Sequence, residues 1–295
     1  MSIDFWKEPP DGALTGALRY WRPALQSLRI PPPALGLTLA QCYLRLAAVL
    51  MPRRRRRTIR SLALAGYDSP RIRAAALRSL ARYYATFARL PFLTKEQIPA
   101  CFFVEGEEYY RAARAQGRGV LIATGHLGHW DLAAYARGLA GDPIHLVTRI
   151  YPDASFEGLA RHYRTRSGNQ LIAGAGSARK ILAALRRNQG VAMMIDANVP
   201  PPGDMEVAFL GATVRASTAL VRLAASSGAV VLPCFTMWCD RQRRYIARTQ
   251  EPFTVSGDAC HDTRRLYRLL ETEVRRYPDQ WFWAFDPCWA RPNGD

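Results

Sequence analysis

The stretch Val120-Leu121-Ile122-Ala123-Thr124-Gly125-His126-Leu127-Gly128-His129-Trp130-Asp131 decides the fold. A short uncharged run with β-branched residues breaks at glycine, and a helical pattern opens a few residues later. That joint belongs to an α/β layer structure. Working outward, strands are predicted at 102–104, 119–124, 144–148, 170–172, 190–195, 207–210 and 229–235. Between and after them, helices are predicted at 107–116, 129–140, 156–166, 177–188, 217–226 and 262–277. The expected fold is a central sheet, mostly parallel or mixed, flanked by helices on both faces. Ligands of such sheets sit beyond the carboxyl ends of the strands, which directs attention to 125–131 and 196–203.

Upstream the pattern is different. Residues 1–32 are rich in Pro, Trp and Arg without steady periodicity, and helices dominate from there to about residue 92. Residues 71–92 follow the start signal Asp68-Ser69-Pro70 and place Ile72, Ala76, Leu80, Tyr83, Tyr84 and Phe87 near a 3.6-residue period. Pro33–Met51 is apolar apart from Thr38, Gln41 and Arg45, and Arg53 to Arg57 follow it at once. The run approaches the roughly 20 residues that cross a bilayer, but an arginine near its middle favours the interface over a span. A polybasic run beside an apolar helix is drawn to anionic cytoplasmic lipids by about 1 kcal/mol per charge. The expected organisation is therefore a membrane-associating helical region at 1–95 and an α/β domain at 96–295.

The charge supports an anionic partner. The chain has 41 basic and 24 acidic side chains, a net of +17, and such a surface seeks nucleic acid, acidic lipid or an acidic carrier. No zinc finger, RRM, KH or helix-turn-helix signature accompanies the charge, so a nucleic-acid binder is the rival rather than the leading class. Six cysteines without a CxxC pair fit a reducing compartment. The start MSIDFWKEPP lacks the parts of a secretory signal, which places the expected location on the cytoplasmic face of the inner membrane.

The chemistry is expected at the strand-to-helix turn. On a straight helix residues 126 and 131 would point about 140° apart. They can meet only if His126 sits in the turn and Asp131 in the first helical turns. Gly125 and Gly128 would ease the bend and leave backbone N–H groups to face an oxyanion. An imidazole oriented by a carboxylate can take a proton from an attacking hydroxyl, so His126 is expected as general base and Asp131 as its partner. No GxSxG elbow occurs, and direct transfer from a thioester to an alcohol needs no serine.

At these residues the chain resembles the bacterial lysophospholipid acyltransferase-like proteins, in the branch of the lipid A late acyltransferases. Their motif is a histidine, four residues and an acid, within a context like Gly-His-(Phe/Leu)-Gly-Asn-Trp-Glu. The likeness extends through Val104-Glu105-Gly106, Arg149, Asp196, Phe209-Leu210-Gly211 with Ala216, Pro233 and Tyr277-Pro278-Asp279-Gln280-Trp281-Phe282-Trp283. It implies a glycerolipid acyltransferase-like fold, an acyl carrier protein or acyl-CoA thioester as donor, a lipid hydroxyl or amine as acceptor, and no cofactor. Arg149, Gly125, Gly128, Asp196 and Gly211 then become substrate-binding candidates, Arg149 near an acceptor phosphate or the donor pantetheine. Two departures stand out. His129 replaces the usual Asn, and Phe285-Asp286-Pro287 replaces a His-Arg-Arg, which argues against the usual lipid A precursor as acceptor.

Other readings of the same residues stay open. His126, His129 and Asp131 could form the metal site of a hydrolase. His129 alone reads better as a packing or hydrogen-bonding substitute for Asn, and Asp196 could cap its turn. His145, His162 and His261 read as structural or surface residues. Trp281, Trp283 and Trp289 read as core or lipid-interface residues.

Overall fold

The computed structural model describes residues 23–151, 154–197 and 204–283. Within these, the α/β part contains β1 (Phe102–Glu105), α4 (Glu107–Ala115), β2 (Val120–Thr124), α5 (Trp130–Leu139), β3 (His145–Val147), α6 (Ala154–Thr165), β4 (Gln170–Ile172), α7 (Ser177–Arg186), β5 (Gly190–Met194), β6 (Met205–Phe209), β7 (Ala212–Ala216), α8 (Ala219–Ser227), β8 (Val230–Cys239), β9 (Arg244–Thr249) and α9 (Ala259–Arg276). Before it come α1 (Pro33–Leu50), α2 (Pro52–Leu64) and α3 (Pro70–Phe87). Each of these three opens on a proline, whose fixed φ and missing N–H suit the first helical position. Ser69 caps α3 by accepting the Ile72 N–H at 3.2 Å.

The seven-stranded sheet has the order β1-β9-β8-β2-β5-β3-β4. All its neighbours are parallel except β8 and β9, so the sheet is mixed. β2 lies centrally, paired with β5 on one side and β8 on the other. A strand so placed has both faces covered, and its alternation separates them. Val120 and Ile122 pack with Tyr110 and Ala113 of α4, whereas Leu121 and Ala123 pack with Ile181, Leu185, Val221 and Leu266 from α7, α8 and α9.

β8 is twice the length of β2, and the surplus is put to use. Its pairing with β2 ends at Ala123↔Pro233, where the missing N–H of proline costs no further ladder bond. Beyond that point β8 continues with β9 alone, from Cys234↔Thr249 to Cys239↔Arg244. This overhang lies under the turn that follows β2: a Cβ at Gly128 would stand 2.0 Å from the Thr236 carbonyl oxygen. Gly128 also has φ +59°, so only glycine fits on both counts.

β7 and β9 lie outside the strands that the sequence pattern predicts. The alternation in Ala212–Ala216 is short and half-exposed, and Leu210-Gly211 turns β6 directly into it with φ of +50° and +82°. Two positive φ values in a two-residue loop make a tight hairpin of the primed type. The N-terminal helices share a core with the α/β part. Leu25, Leu28, Ala40, Leu44, Ala81, Tyr83 and Phe87 cluster with Leu132, Tyr135 and Ala136 of α5, Tyr163 of α6 and Tyr245 of β9.

Candidate active site

His126 stands in the turn between β2 and α5, as expected, but the carboxylate that meets its ring is Asp196. His126 Nδ1 and Asp196 Oδ1 are 2.8 Å apart, and the His126 backbone N–H donates to Asp196 Oδ2 at 2.9 Å. The register explains the meeting. β2 and β5 are parallel neighbours with Thr124 opposite Met194, and each side chain lies two residues past its pair. Gly125 permits the approach, since a Cβ there would stand 3.2 Å from Asp196 Oδ2 and 2.7 Å from a Leu270 methyl.

Asp196 is almost wholly buried, its side chain 2% exposed. Its Oδ2 also accepts the Trp281 indole N–H at 2.9 Å. Burial by itself would raise this carboxyl, but the neighbouring imidazole and the hydrogen bonds from His126 and Trp281 outweigh it and hold the group below the ordinary range.

Asp131 does not take the orienting position read for it; its oxygens are directed elsewhere. Arg164 of α6 reaches Oδ1 through Nε at 2.8 Å and Oδ2 through Nη2 at 3.4 Å, and the Tyr83 hydroxyl of α3 donates to Oδ2 at 2.6 Å. The physical reason is the helix geometry. Asp131 lies in the first turn of α5, on the side covered by α3 and α6, whereas His126 precedes that helix on the β5 side. Burial opposes the charge on Asp131, but the Arg164 guanidinium and the two donors prevail and lower its carboxyl. Asp131 in turn raises the Arg164 guanidinium well above its usual value against the effect of burial. Burial and Asp131 together push the Tyr83 phenol well up.

His129 is fully buried and caps α5: its Nδ1 accepts the Leu132 N–H at 3.1 Å. That bond uses the Nδ1 lone pair, so the proton of the neutral ring belongs on Nε2, which is buried without a hydrogen-bond partner. The ring packs against Tyr83 with centroids 4.4 Å apart and against Tyr245 at 5.2 Å. Burial pushes its pKa down to about 4, against the nearby Asp131 charge. The capping role is the one an Asn would fill, as the sequence suggested. His126, His129 and Asp131 are thus each bonded apart. No group of three His, Cys, Asp or Glu placed to hold a metal occurs among the described residues.

Three N–H groups of the turn are closed to an oxyanion. The N–H groups of His126, Leu127 and Gly128 are all taken, by Asp196, by the Gly125 carbonyl at 2.8 Å and by the Gln280 carbonyl at 3.0 Å. They hold the turn instead of opening it. Arg149 lies just past β3, exposed, with its guanidinium 5.0 Å from the Tyr151 ring centroid. Gly211 belongs to the β6-β7 turn, where a Cβ would meet the Leu64 carbonyl at 3.0 Å, and this accounts for the glycine on backbone grounds. Phe285-Asp286-Pro287, Trp289 and the end of the 196–203 loop lie outside the described residues. An aromatic group borders His126: Trp130 meets it edge-on at 4.9 Å, and Phe282 meets Trp130 at 5.8 Å.

Sequence reasoning missed Arg164, Tyr83 and the bond from Trp281 to Asp196. A faint signal existed for Asp196, which follows an apolar strand as His126 does. None existed for Arg164 or Tyr83, which arrive from other helices.

Comparison with known proteins places the chain among acyltransferases. The family model for bacterial lipid A biosynthesis acyltransferases matches residues 34–289. The chain is 26% identical over 226 residues to a phosphatidylinositol mannoside acyltransferase of Mycolicibacterium smegmatis, covering 75% of this chain and 73% of that protein. It is 24% identical over 208 residues to a lipid A biosynthesis palmitoleoyltransferase of Escherichia coli, covering 69% and 67%. A lipid A biosynthesis acyltransferase of Haemophilus influenzae is 20% identical over 190 residues, covering 64% and 60%.

Proposed function

The chain belongs to the bacterial lipid A biosynthesis acyltransferase family and is an enzyme that transfers acyl groups; from that premise we propose that His126 is its general base and Asp196 the group that orients it. The observation that carries this reading is the 2.8 Å contact between His126 Nδ1 and Asp196 Oδ1 at the carboxyl end of the central strand. A proton on Nδ1 bonded to a carboxylate makes Nε2 the basic nitrogen.

The donor is an acyl carrier protein or coenzyme A thioester, and the acceptor a lipid-like hydroxyl or amine. Nε2 takes the acceptor proton as its oxygen or nitrogen attacks the thioester carbon. The C–S bond breaks as the tetrahedral intermediate collapses, and the imidazolium returns the proton to the leaving thiolate. The charge on Asp196 stabilises the imidazolium in between. No metal or cofactor enters this scheme. Trp130 and Phe282 shield the reacting atoms from water, and Arg149 offers a cation to an anionic group on either substrate. The ion pair between Asp131 and Arg164 ties α5 to α6 and, through Tyr83, to α3, so that the turn before α5 has a fixed base.

The acceptor is proposed to differ from the usual lipid A precursor. Its support is the Phe285-Asp286-Pro287 departure, together with the likeness to enzymes named for phosphatidylinositol mannoside as well as for lipid A.

A cytoplasmic-face membrane location fits α1. Its inner residues Gly36, Ala40 and Leu44 are buried, while Leu35, Leu46, Val49 and Leu50 are exposed, Val49 by 75% and Leu50 by 70%. A helix held by one face against its own protein and apolar on the other suits the lipid interface better than a span. Arg53 to Arg57 follow, all exposed.

The test is transfer of a labelled palmitoyl chain from coenzyme A and from acyl carrier protein to vesicles of total bacterial lipid. His126→Ala is expected to lower turnover by about 10²–10⁴-fold. Near-normal turnover in that variant would remove His126 from the chemistry.

A further inference from the structure

Gln280, Trp281 and Phe282 run alongside the turn that carries His126 and join it at three successive points. The Gly128 N–H donates to the Gln280 carbonyl at 3.0 Å, Leu127 and Trp281 form an antiparallel bridge, and the Phe282 N–H donates to the His126 carbonyl at 2.9 Å. Gln280 is itself fastened to the overhang of β8. Its side-chain oxygen accepts the Trp238 N–H at 2.6 Å and its amide donates to the Trp238 carbonyl at 3.0 Å.

Between these anchors the Trp281 ring is buried, edge-on to Phe209 at 5.7 Å and to Trp283 at 4.8 Å. Packing alone would be served by any large apolar ring. The indole adds one polar atom, and that atom is 2.9 Å from Asp196 Oδ2, the oxygen that also takes the His126 N–H. With two donors on Oδ2, the carboxylate cannot turn about its last bond without breaking both, and Oδ1 stays directed at the imidazole. An indole N–H is a donor only, so unlike a water it cannot reverse and offer a lone pair.

We propose that Trp281 is a positioning residue for acyl transfer, locking Asp196 through its indole N–H in the orientation that serves His126. This rests on the reading of His126 as the base. Trp281 acts on the reaction only through Asp196, and that dependence separates it from a packing residue.

The experiment uses full-length enzyme, labelled palmitoyl coenzyme A and total-lipid vesicles. Trp281→Phe should lower kcat about tenfold to a hundredfold, the worth of one hydrogen bond to a charged group, with the KM for the donor little changed. Trp283→Phe, in the same cluster but bonded to the Pro278 carbonyl, should keep kcat. On an Asp196→Ala background, Trp281→Phe should cost less than about threefold more, because its partner is already gone. Benzothienylalanine at 281, which keeps the ring and replaces the N–H by sulfur, gives the same answer should Trp281→Phe fold poorly. Parent-like kcat in Trp281→Phe alongside an inactive His126→Ala would overturn the proposal and leave the base in place. A loss that multiplies in full on the Asp196→Ala background would also overturn it, as a packing effect. An active His126→Ala would overturn both readings.

Discussion

Replacing His129 by Asn should remove an acid sensitivity that the parent protein carries. The folded ring titrates at about 4 because burial disfavours its charged form, whereas in the unfolded chain it titrates near 6.5. The unfolded state therefore binds a proton that the folded state refuses, and stability falls as the pH drops from about 6.5 towards 4. At pH 5 the unfolded imidazole is mostly charged and the folded one mostly neutral. Taking about 1.4 kcal/mol per pH unit, His129 costs the fold about 2 kcal/mol at pH 5 relative to pH 7.5. Asn keeps an acceptor for the Leu132 N–H and cannot titrate. It also loses ring packing against Tyr83 and Tyr245, but that term is the same at both pH values and cancels. The assay is urea unfolding of parent and variant at pH 7.5 and pH 5. The difference between the two proteins should shift by about 2 kcal/mol in favour of the variant at the lower pH, or about 4–8 °C in a thermal melt. Parallel pH dependence would show that His129 is not held neutral in the fold.

Asp131→Ala should destabilise the protein by about 3–5 kcal/mol, because it leaves Arg164 buried without its partner; an unchanged urea midpoint with lost activity would instead place Asp131 in the chemistry. Asp196→Asn should lower turnover by about 10²–10⁴-fold while shifting the urea midpoint less than Asp131→Ala does. A variant with normal turnover would mean that another group orients His126. Leu46→Glu combined with Val49→Glu should move the protein from anionic vesicles to the supernatant in flotation, and unchanged partition would show that the outer face of α1 is not the lipid contact.

The α/β class, the central place of the 120–124 strand and the turn at His126 were legible because local pattern sets them. An apolar run breaking at glycine needs no knowledge of distant residues. The partner of His126 was not legible, because strand order decides it. Asp131 is five residues away in sequence and faces another helix, whereas Asp196 is distant in sequence and lies across a single ladder. β9 was hidden for a related reason. Its arginines at 244 and 248 obscure the apolar alternation, and its antiparallel pairing with β8 becomes visible only when the hairpin is formed. Tyr83 and Arg164 carry the same lesson, since each is an ordinary helical residue until three helices meet around one carboxylate.

The three-point attachment of Gln280–Phe282 to the His126 turn has a consequence for how activity arises during synthesis. Residues 120–131 leave the ribosome long before residues 280–282, and the apolar helix α1 leaves earlier still. A nascent chain can therefore present α1 and the His126 turn while that turn still lacks its backbone brace and Asp196 lacks its indole donor. On the reading proposed above, the order of synthesis supplies the base and its carboxylate partner before the segment that fixes them in place.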